Sequence, residues 1–284
     1  MEQIRADVNV IAVVLMGSLS YDFVWEKSDV DMVVIIRDQK ITSADYCLDE
    51  ENVVINASIA TRSDFIRRIE KSGGGTIVHS LYSKGEMIYT TDESLREIFE
   101  ESKAMGASDV ELAAMLHACE IVGGAEKVEK WLRVKEDVSY ANFYILKTSE
   151  SIARMEVTLN GIVPTREAVI QASAINPGLM ERFYGRPIRK PYDVKEAFTA
   201  LEDIYKYVEN HMDVIKRPVL EYLEDGQIKT LTMLKNHFRT DAHFISHLME
   251  YMAGLGVIHK CTQTIRITPK GRQTAEEIAY YINV

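Results

Sequence analysis

The feature that most constrains the fold is a pair of short apolar runs near the start of the chain. The first run, Val8–Met16, ends at Gly17, and the second, Val30–Ile36, follows two aspartates. Both runs are rich in β-branched residues and are bounded by glycine or by charge, a pattern typical of buried β-strands. They are far shorter than the roughly 20 residues of a membrane helix. The sequence therefore predicts a buried sheet and no membrane segment.

Further strands and helices extend this region to about residue 92. Asn52–Ala60 alternates apolar and polar side chains, which predicts a third strand with one buried face. The patterns also predict a helix over Arg62–Lys71, a helix over Thr76–Ser83 and a short strand over Glu86–Thr90. Residues 1–92 are thus expected to form a small mixed α+β domain.

The remainder of the chain predicts two more domains, which is reasonable because 284 residues are many for one core. Residues 93–217 contain long amphipathic helices, with a loop expected over Gly185–Pro191 because it carries two prolines. Residues 218–284 predict three helices, two short strands at 257–260 and 264–268, and a final helix over Arg272–Ile282. The expected fold class is α+β: a mixed-sheet domain, a helical bundle and a third module.

Charge and cysteine content narrow the class of protein. The net charge of −10 argues against a protein that coats nucleic acid over its whole surface. Residues 228–284 carry seven basic and four acidic residues, a net charge of +3, whereas the rest of the chain is net −13. The three cysteines are odd in number and scattered, so they form neither a disulfide framework nor a zinc site. We expect a cytoplasmic protein with a distinct C-terminal module.

The residues that carry chemistry lie between the two apolar runs. Asp29 and Asp31 are two positions apart at a strand, so both carboxylates face the same side of the sheet. Two such carboxylates repel each other unless a cation joins them, and oxygen ligands of this kind suit Mg²⁺. Gly17 and Ser18 follow the first strand, where the glycine backbone and the serine hydroxyl could hold phosphate oxygens.

The segment VVLMGSLSYDFVWEKSDVDMVVII, residues 13–36, resembles the DNA polymerase beta-type nucleotidyltransferase superfamily. That resemblance implies transfer of a nucleoside monophosphate from an NTP, with Mg²⁺ held by Asp29 and Asp31. The acceptor would be a small hydroxyl compound or a protein side chain. Single-site members, including antibiotic nucleotidyltransferases, carry a helical domain that holds the acceptor, and a helical lysine there reaches the triphosphate. Lys147 is the candidate for that lysine.

One departure from the family concerns its third carboxylate, which belongs on a neighbouring strand. In Asn52–Ala60 the alternate positions from Val53 to Ile59 are apolar and therefore core. The opposite face offers Asn56 and Ser58 but no acid. Either catalysis is weak, or a base comes from elsewhere; Glu50 and Glu51 would serve if the strand register differs.

The segment AHFISHLMEYMAGLGVIHKCTQTIRITPKGRQTAEEI resembles the winged-helix domains of bacterial and archaeal regulators. That resemblance implies a third helix that enters a DNA groove. The candidate DNA contacts are Arg239, His243, His247, Arg266 and Lys270. The alternative to DNA binding is a winged helix used for homodimerisation or domain docking.

Two readings of the function stay open at this point. The first is a nucleotidyltransferase, and the second is a nucleotide-sensing transcriptional regulator with a degenerate catalytic site. His243 and His247 are also spaced as a metal pair, but no carboxylate or cysteine near them in the sequence completes a ligand set.

Overall fold

The structure is a computed structural model that describes residues 4, 6–17, 28–41, 44–71, 82, 84–103, 105–268 and 270–283. The chain forms two compact units. One unit comprises Met1–Asp109 with Gly161–Thr165, and the other comprises Val110–Asn160 with Arg166–Val284.

The first unit is built on a five-stranded mixed sheet with the order β3-β4-β2-β1-β5. Its strands are β1 (Val10–Met16), β2 (Val30–Ile36), β3 (Asp45–Glu50), β4 (Val53–Thr61) and β5 (Glu86–Thr90), and its helices are α1 (Arg62–Lys71) and α2 (Glu93–Glu101). The pairing of β2 with β4 is parallel, and the other three pairings are antiparallel. The two predicted apolar runs therefore lie side by side near the centre of the sheet.

Both faces of this sheet carry apolar side chains. On the face covered by α1 and α2, Phe65 and Phe99 are buried and their ring centroids lie 6.3 Å apart. On the other face Val13, Met32 and Ala57 belong to a second buried cluster. Ile55 and Ile59 of β4 pack against this second cluster, as the alternation predicts. Val53, which was also expected in the core, is 43% exposed at the start of the strand.

Strand β3 was not predicted from the sequence. Every residue of Asp45–Glu50 is exposed, because the strand lies at the edge of the sheet and buries neither face. It joins β4 through Glu51 and Asn52, both in the left-handed region with φ of 51° and 66°. Two such residues form the tight turn that suits the twist of a hairpin. The helix expected at 76–83 lies almost entirely outside the described residues.

The second unit is mainly helical. Its helices are α3 (Ala107–Arg133), α4 (Val138–Leu159), α5 (Ala168–Ile175), α6 (Pro177–Met180), α7 (Arg186–Arg189), α8 (Val194–Asn210), α9 (Met212–Ile215), α10 (Arg217–Leu223), α11 (Leu231–Phe238) and α12 (Ala242–Gly254). Its strands are β6 (Lys229–Thr230), β7 (His259–Arg266) and β8 (Thr274–Tyr281), in the antiparallel order β6-β8-β7. No helix of the described chain is both long and apolar enough to cross a membrane.

Three predictions for this unit were wrong. The two short strands expected at 257–260 and 264–268 form one continuous strand, β7. The loop expected at Gly185–Pro191 is largely helical, because a π-helical turn over Glu181–Gly185 leads into α7. Pro187 is buried in the first turn of α7. The final helix expected at Arg272–Ile282 is strand β8, because pairing with both β6 and β7 overrides its local helical preference.

The C-terminal segment shares its hydrophobic core with the helices before it. Leu248 and Tyr280 are fully buried and belong to the same cluster as Ile121 and Ile204. Compactness therefore divides the chain in two, and the finer division at residues 92 and 217 stays a prediction.

Candidate functional site

Asp29 and Asp31 lie at the start of β2, and both are half-buried. Asp31 is paired across the sheet with Met16 of β1 on one side and with Asn56 of β4 on the other. Because positions two apart on a strand share a face, the two carboxylates emerge on the same side. The central strands of the sheet thus fix the position of the acidic pair.

Asn56 joins the two carboxylates. Its Nδ2 atom donates to Asp29 Oδ2 at 2.5 Å and to Asp31 Oδ1 at 3.1 Å. One amide nitrogen carries two hydrogens, so both are used. The two carboxylates therefore converge on a single point, and a neutral donor at that point reduces their mutual repulsion.

Gly17 provides space beside this pair. Its φ is +77°, and an added Cβ would lie only 2.1 Å from Asp31 Oδ2. A side chain at this position would meet both backbone strain and a direct clash. Only glycine therefore fits at position 17, because the Asp31 carboxylate occupies the space that a side chain would need. Ser18, the other predicted phosphate contact, lies outside the described residues.

The two residues predicted for the third position lie on β4, beside β2. Asn56 is level with Asp31, and Ser58 is level with Val33, two residues further along the sheet. Glu50 pairs with Val53 and so shares the apolar face of β4, whereas Glu51 lies in the hairpin turn. Neither glutamate stands in for the missing acid in this register.

Sequence reasoning missed the acidic residues of β3 that share the face of the site. Asp45 is level with Ser58, and Asp49 is level with Val54. They are two strands away from β2, about 10 Å across the sheet. Their alternation with Tyr46 and Leu48 was the available signal for this strand.

Lys147 lies in the other unit, on α4. Its side chain is exposed, and its Nζ atom lies 5.9 Å from the centre of the Tyr144 ring. Both residues line a cavity of about 480 Å³, together with His243 and His247 of α12.

The predicted DNA contacts differ in exposure. Arg239, His243, Arg266 and Lys270 are exposed. His247 is partly buried, with only 13% of its side chain accessible. Its Nδ1 atom lies 2.6 Å from Glu126 Oε2 of α3, so this face of α12 packs against the helical bundle.

Comparisons with known proteins agree with the fold of the chain. Residues 2–94 match the family model described as Polymerase beta, Nucleotidyltransferase. The fold resembles the crystal structure of a nucleotidyltransferase-like protein from Exiguobacterium sibiricum 255-15, with a TM-score of 0.65 and 14% identity. That similarity covers 100% of this chain and 96% of the other. No curated protein sequence matches the chain significantly.

Residues 2–94 of this chain therefore resemble a nucleotidyltransferase domain of the polymerase beta type. The expected α+β class, with a mixed sheet followed by a helical region, is confirmed.

Proposed function

We propose that the protein transfers a nucleoside monophosphate from an NTP to a hydroxyl acceptor, with Mg²⁺ bound at Asp29 and Asp31. The observation that carries this proposal is the convergence of the two carboxylates on one atom of Asn56, beside the backbone of Gly17. Paired carboxylates next to a glycine that admits a phosphate are what such a reaction requires.

The donor set fits one magnesium ion. Asp29 and Asp31 supply two carboxylates, and a half-turn of the Asn56 amide would present Oδ1 in place of Nδ2. Mg²⁺ accepts such oxygen ligands and keeps several waters for its remaining positions. When bound, the ion neutralises charge on the phosphates and polarises them toward attack. A site with two carboxylates rather than three favours one ion over two.

The acceptor oxygen would form a bond to the α-phosphorus while the bond from that phosphorus to pyrophosphate breaks. The acceptor must also lose its proton, and the neutral amide of Asn56 cannot take it. General-base assistance is typically worth about 10²–10⁴-fold. We therefore expect slow turnover, with the proton passing to solvent or to a base outside the pair.

The test is transfer of label from each α-labelled NTP in the presence of Mg²⁺, with cell extract as the source of acceptor. Wild-type protein should label an acceptor, and Asp31→Asn should remove both labelling and Mg²⁺-dependent NTP binding. Glu50→Gln, which removes a charge from the opposite face of the sheet, is the matched control and should leave both intact. Equal Mg²⁺-dependent binding by Asp31→Asn would contradict the proposed metal site.

A second candidate function is a transcriptional regulator in which the C-terminal segment binds DNA as a winged helix. Its support is the order α10, β6, α11, α12, β7, β8, with β7 and β8 forming an antiparallel hairpin. Arg266 ends β7 and is exposed, as a phosphate contact of a wing would be. The packing of His247 against α3 favours docking of α12 on the bundle instead.

Binding of a mixed-sequence duplex at 50 and 200 mM salt separates these two roles of the segment. A DNA-binding segment should lose affinity steeply with salt, and Arg266→Ser should weaken binding and flatten the salt slope. No binding at either salt concentration would leave docking as the role of the segment.

A further inference from the structure

Two histidines of α12 face each other across a distance that suits a metal ion. His243 and His247 are one helical turn apart, and their Nε2 atoms are separated by 3.4 Å. Two imidazole nitrogens that ligate one tetrahedral ion at 2.0–2.1 Å are about 3.3 Å apart. The observed separation of the two Nε2 atoms is close to that value.

The ring of His247 is held by groups on α3. Glu126 Oε2 accepts a hydrogen bond from His247 Nδ1 at 2.6 Å, which leaves the lone pair on Nε2. A carboxylate in this position is the usual outer partner of a metal-binding histidine, because it fixes the tautomer and raises the basicity of the ligand.

Gly123 of the same helix leaves room for the His247 ring. An added Cβ there would lie 2.9 Å from His247 Cδ2, so the imidazole packs directly against the α3 backbone. The side chain of His247 is accordingly only 13% accessible. The histidine is oriented before any ion arrives.

The surroundings determine what else such an ion would bind. In the part of the chain that the structure describes, no group of three or more histidine, cysteine or acidic side chains is clustered for a metal. The carboxylates of Glu120 and Glu150 line the same cavity, but each is bonded to a neighbour, Ser151 and Arg154 respectively. The remaining coordination positions would therefore be filled by water from the cavity of about 480 Å³ that both histidines line.

We propose that His243 and His247 form a binding site for a transition-metal ion, with Zn²⁺, Ni²⁺ or Cu²⁺ held by the two Nε2 atoms and Glu126 as the outer partner. Imidazole ligands favour these ions, and Mg²⁺ prefers oxygen ligands and is excluded. The site lies in the helical unit and does not depend on nucleotide chemistry.

The experiment is calorimetric titration of the metal-free full chain with Zn²⁺, Cu²⁺ and Mg²⁺, in an Asp29→Asn, Asp31→Asn background that silences the acidic pair. One equivalent of Zn²⁺ should bind, with Cu²⁺ tighter and Mg²⁺ absent. His243→Gln and His247→Gln should each weaken Zn²⁺ binding at least tenfold, and Glu126→Gln by about 10-fold. His259→Gln, at an exposed histidine bonded to Asn283, is the matched control and should bind as before.

A second measurement needs no substitution at the site. The Cu²⁺-loaded protein should show electron paramagnetic resonance coupling to imidazole nitrogens. Unchanged Zn²⁺ affinity in both histidine variants, or a Cu²⁺ spectrum without nitrogen coupling, would overturn the proposal and leave the pair as a packing contact. Because the acidic pair is absent from the titrated protein, failure here says nothing against the proposed transferase.

Discussion

Asn56 of β4 stands directly beside Asp31 of β2, and its amide nitrogen lies 3.1 Å from the Asp31 carboxylate. A neutral residue therefore occupies the position at which the superfamily resemblance implies an acid. This single pairing determines the charge of the site and the fate of the acceptor proton.

Installing an acid at this position should increase activity. Asn56→Asp adds the missing base, so we expect the transfer rate to rise by about 10²-fold, with a higher Mg²⁺ requirement because a third carboxylate admits a second ion. Pyrophosphate release with each NTP measures this. Ser58→Asp, one pair further along the same face, is the matched comparison and should raise the rate less. A rapid wild type that both substitutions damage would show that the base lies elsewhere.

Gly17→Ala should abolish Mg²⁺-dependent NTP binding. The new Cβ would lie 2.1 Å from Asp31 Oδ2, so the carboxylate must move. Gly161→Ala is the matched control, because Gly161 also has positive φ, +71°, but has open space around its Cβ position. Both variants should lose about 1–2 kcal/mol of stability from backbone strain. Only Gly17→Ala should lose binding in an equilibrium titration; equal binding by both variants would remove the steric argument.

Tyr207→Phe should destabilise the helical unit by about 1–3 kcal/mol. The Tyr207 hydroxyl donates to Glu156 Oε2 at 2.8 Å, and Asn176 Nδ2 donates to the other carboxylate oxygen at 3.0 Å. Glu156 is only 8% accessible, so the loss of the hydroxyl leaves a buried carboxylate oxygen without its donor. Urea unfolding measures the change.

Tyr205→Phe on the same helix is the control for that substitution. The Tyr205 ring stacks on Tyr251, and the described residues offer its hydroxyl no hydrogen-bond partner. The free energy of unfolding should therefore change little. A similar loss in both variants would mean that the bond to Glu156 contributes nothing specific.

The stability of the protein should fall as pH falls below about 6.5, and His117 should account for part of the fall. Burial, with a smaller contribution from the Arg154 charge, lowers the pKa of His117 to about 4. Its Nε2 atom is buried and has no hydrogen-bond partner among the residues that the structure describes. Between about pH 6.5 and pH 4, His117 is protonated in the unfolded chain but stays neutral in the folded chain. The free energy of unfolding should therefore fall by up to about 1.4 kcal/mol for each pH unit of acidification.

Urea unfolding at pH 7.0, 6.0 and 5.0 tests this dependence. His117→Leu should flatten the slope, whereas His259→Gln, at an exposed position, should not. An unchanged slope in His117→Leu would assign the acid sensitivity to other groups.

The sequence by itself determined most of the candidate site. Two apolar runs of strand length fixed β1 and β2, and a period of two put Asp29 and Asp31 on one face. The same alternation assigned Asn56 to the face of β4 opposite Ile55 and Ala57, and the structure places it level with Asp31. These features can be predicted from a short stretch of sequence, because successive side chains of a strand alternate between its two faces.

Only the tertiary structure decided the features that depend on distant partners. Strand β3 is exposed throughout and exists because it pairs with β4, and β8 is a strand because it lies between β6 and β7. The orientation of His247 follows from Glu126, 121 residues earlier in the chain. Local pattern predicts what a segment prefers, but the choice of partner comes from pairing and packing across the fold, which no short window of sequence contains.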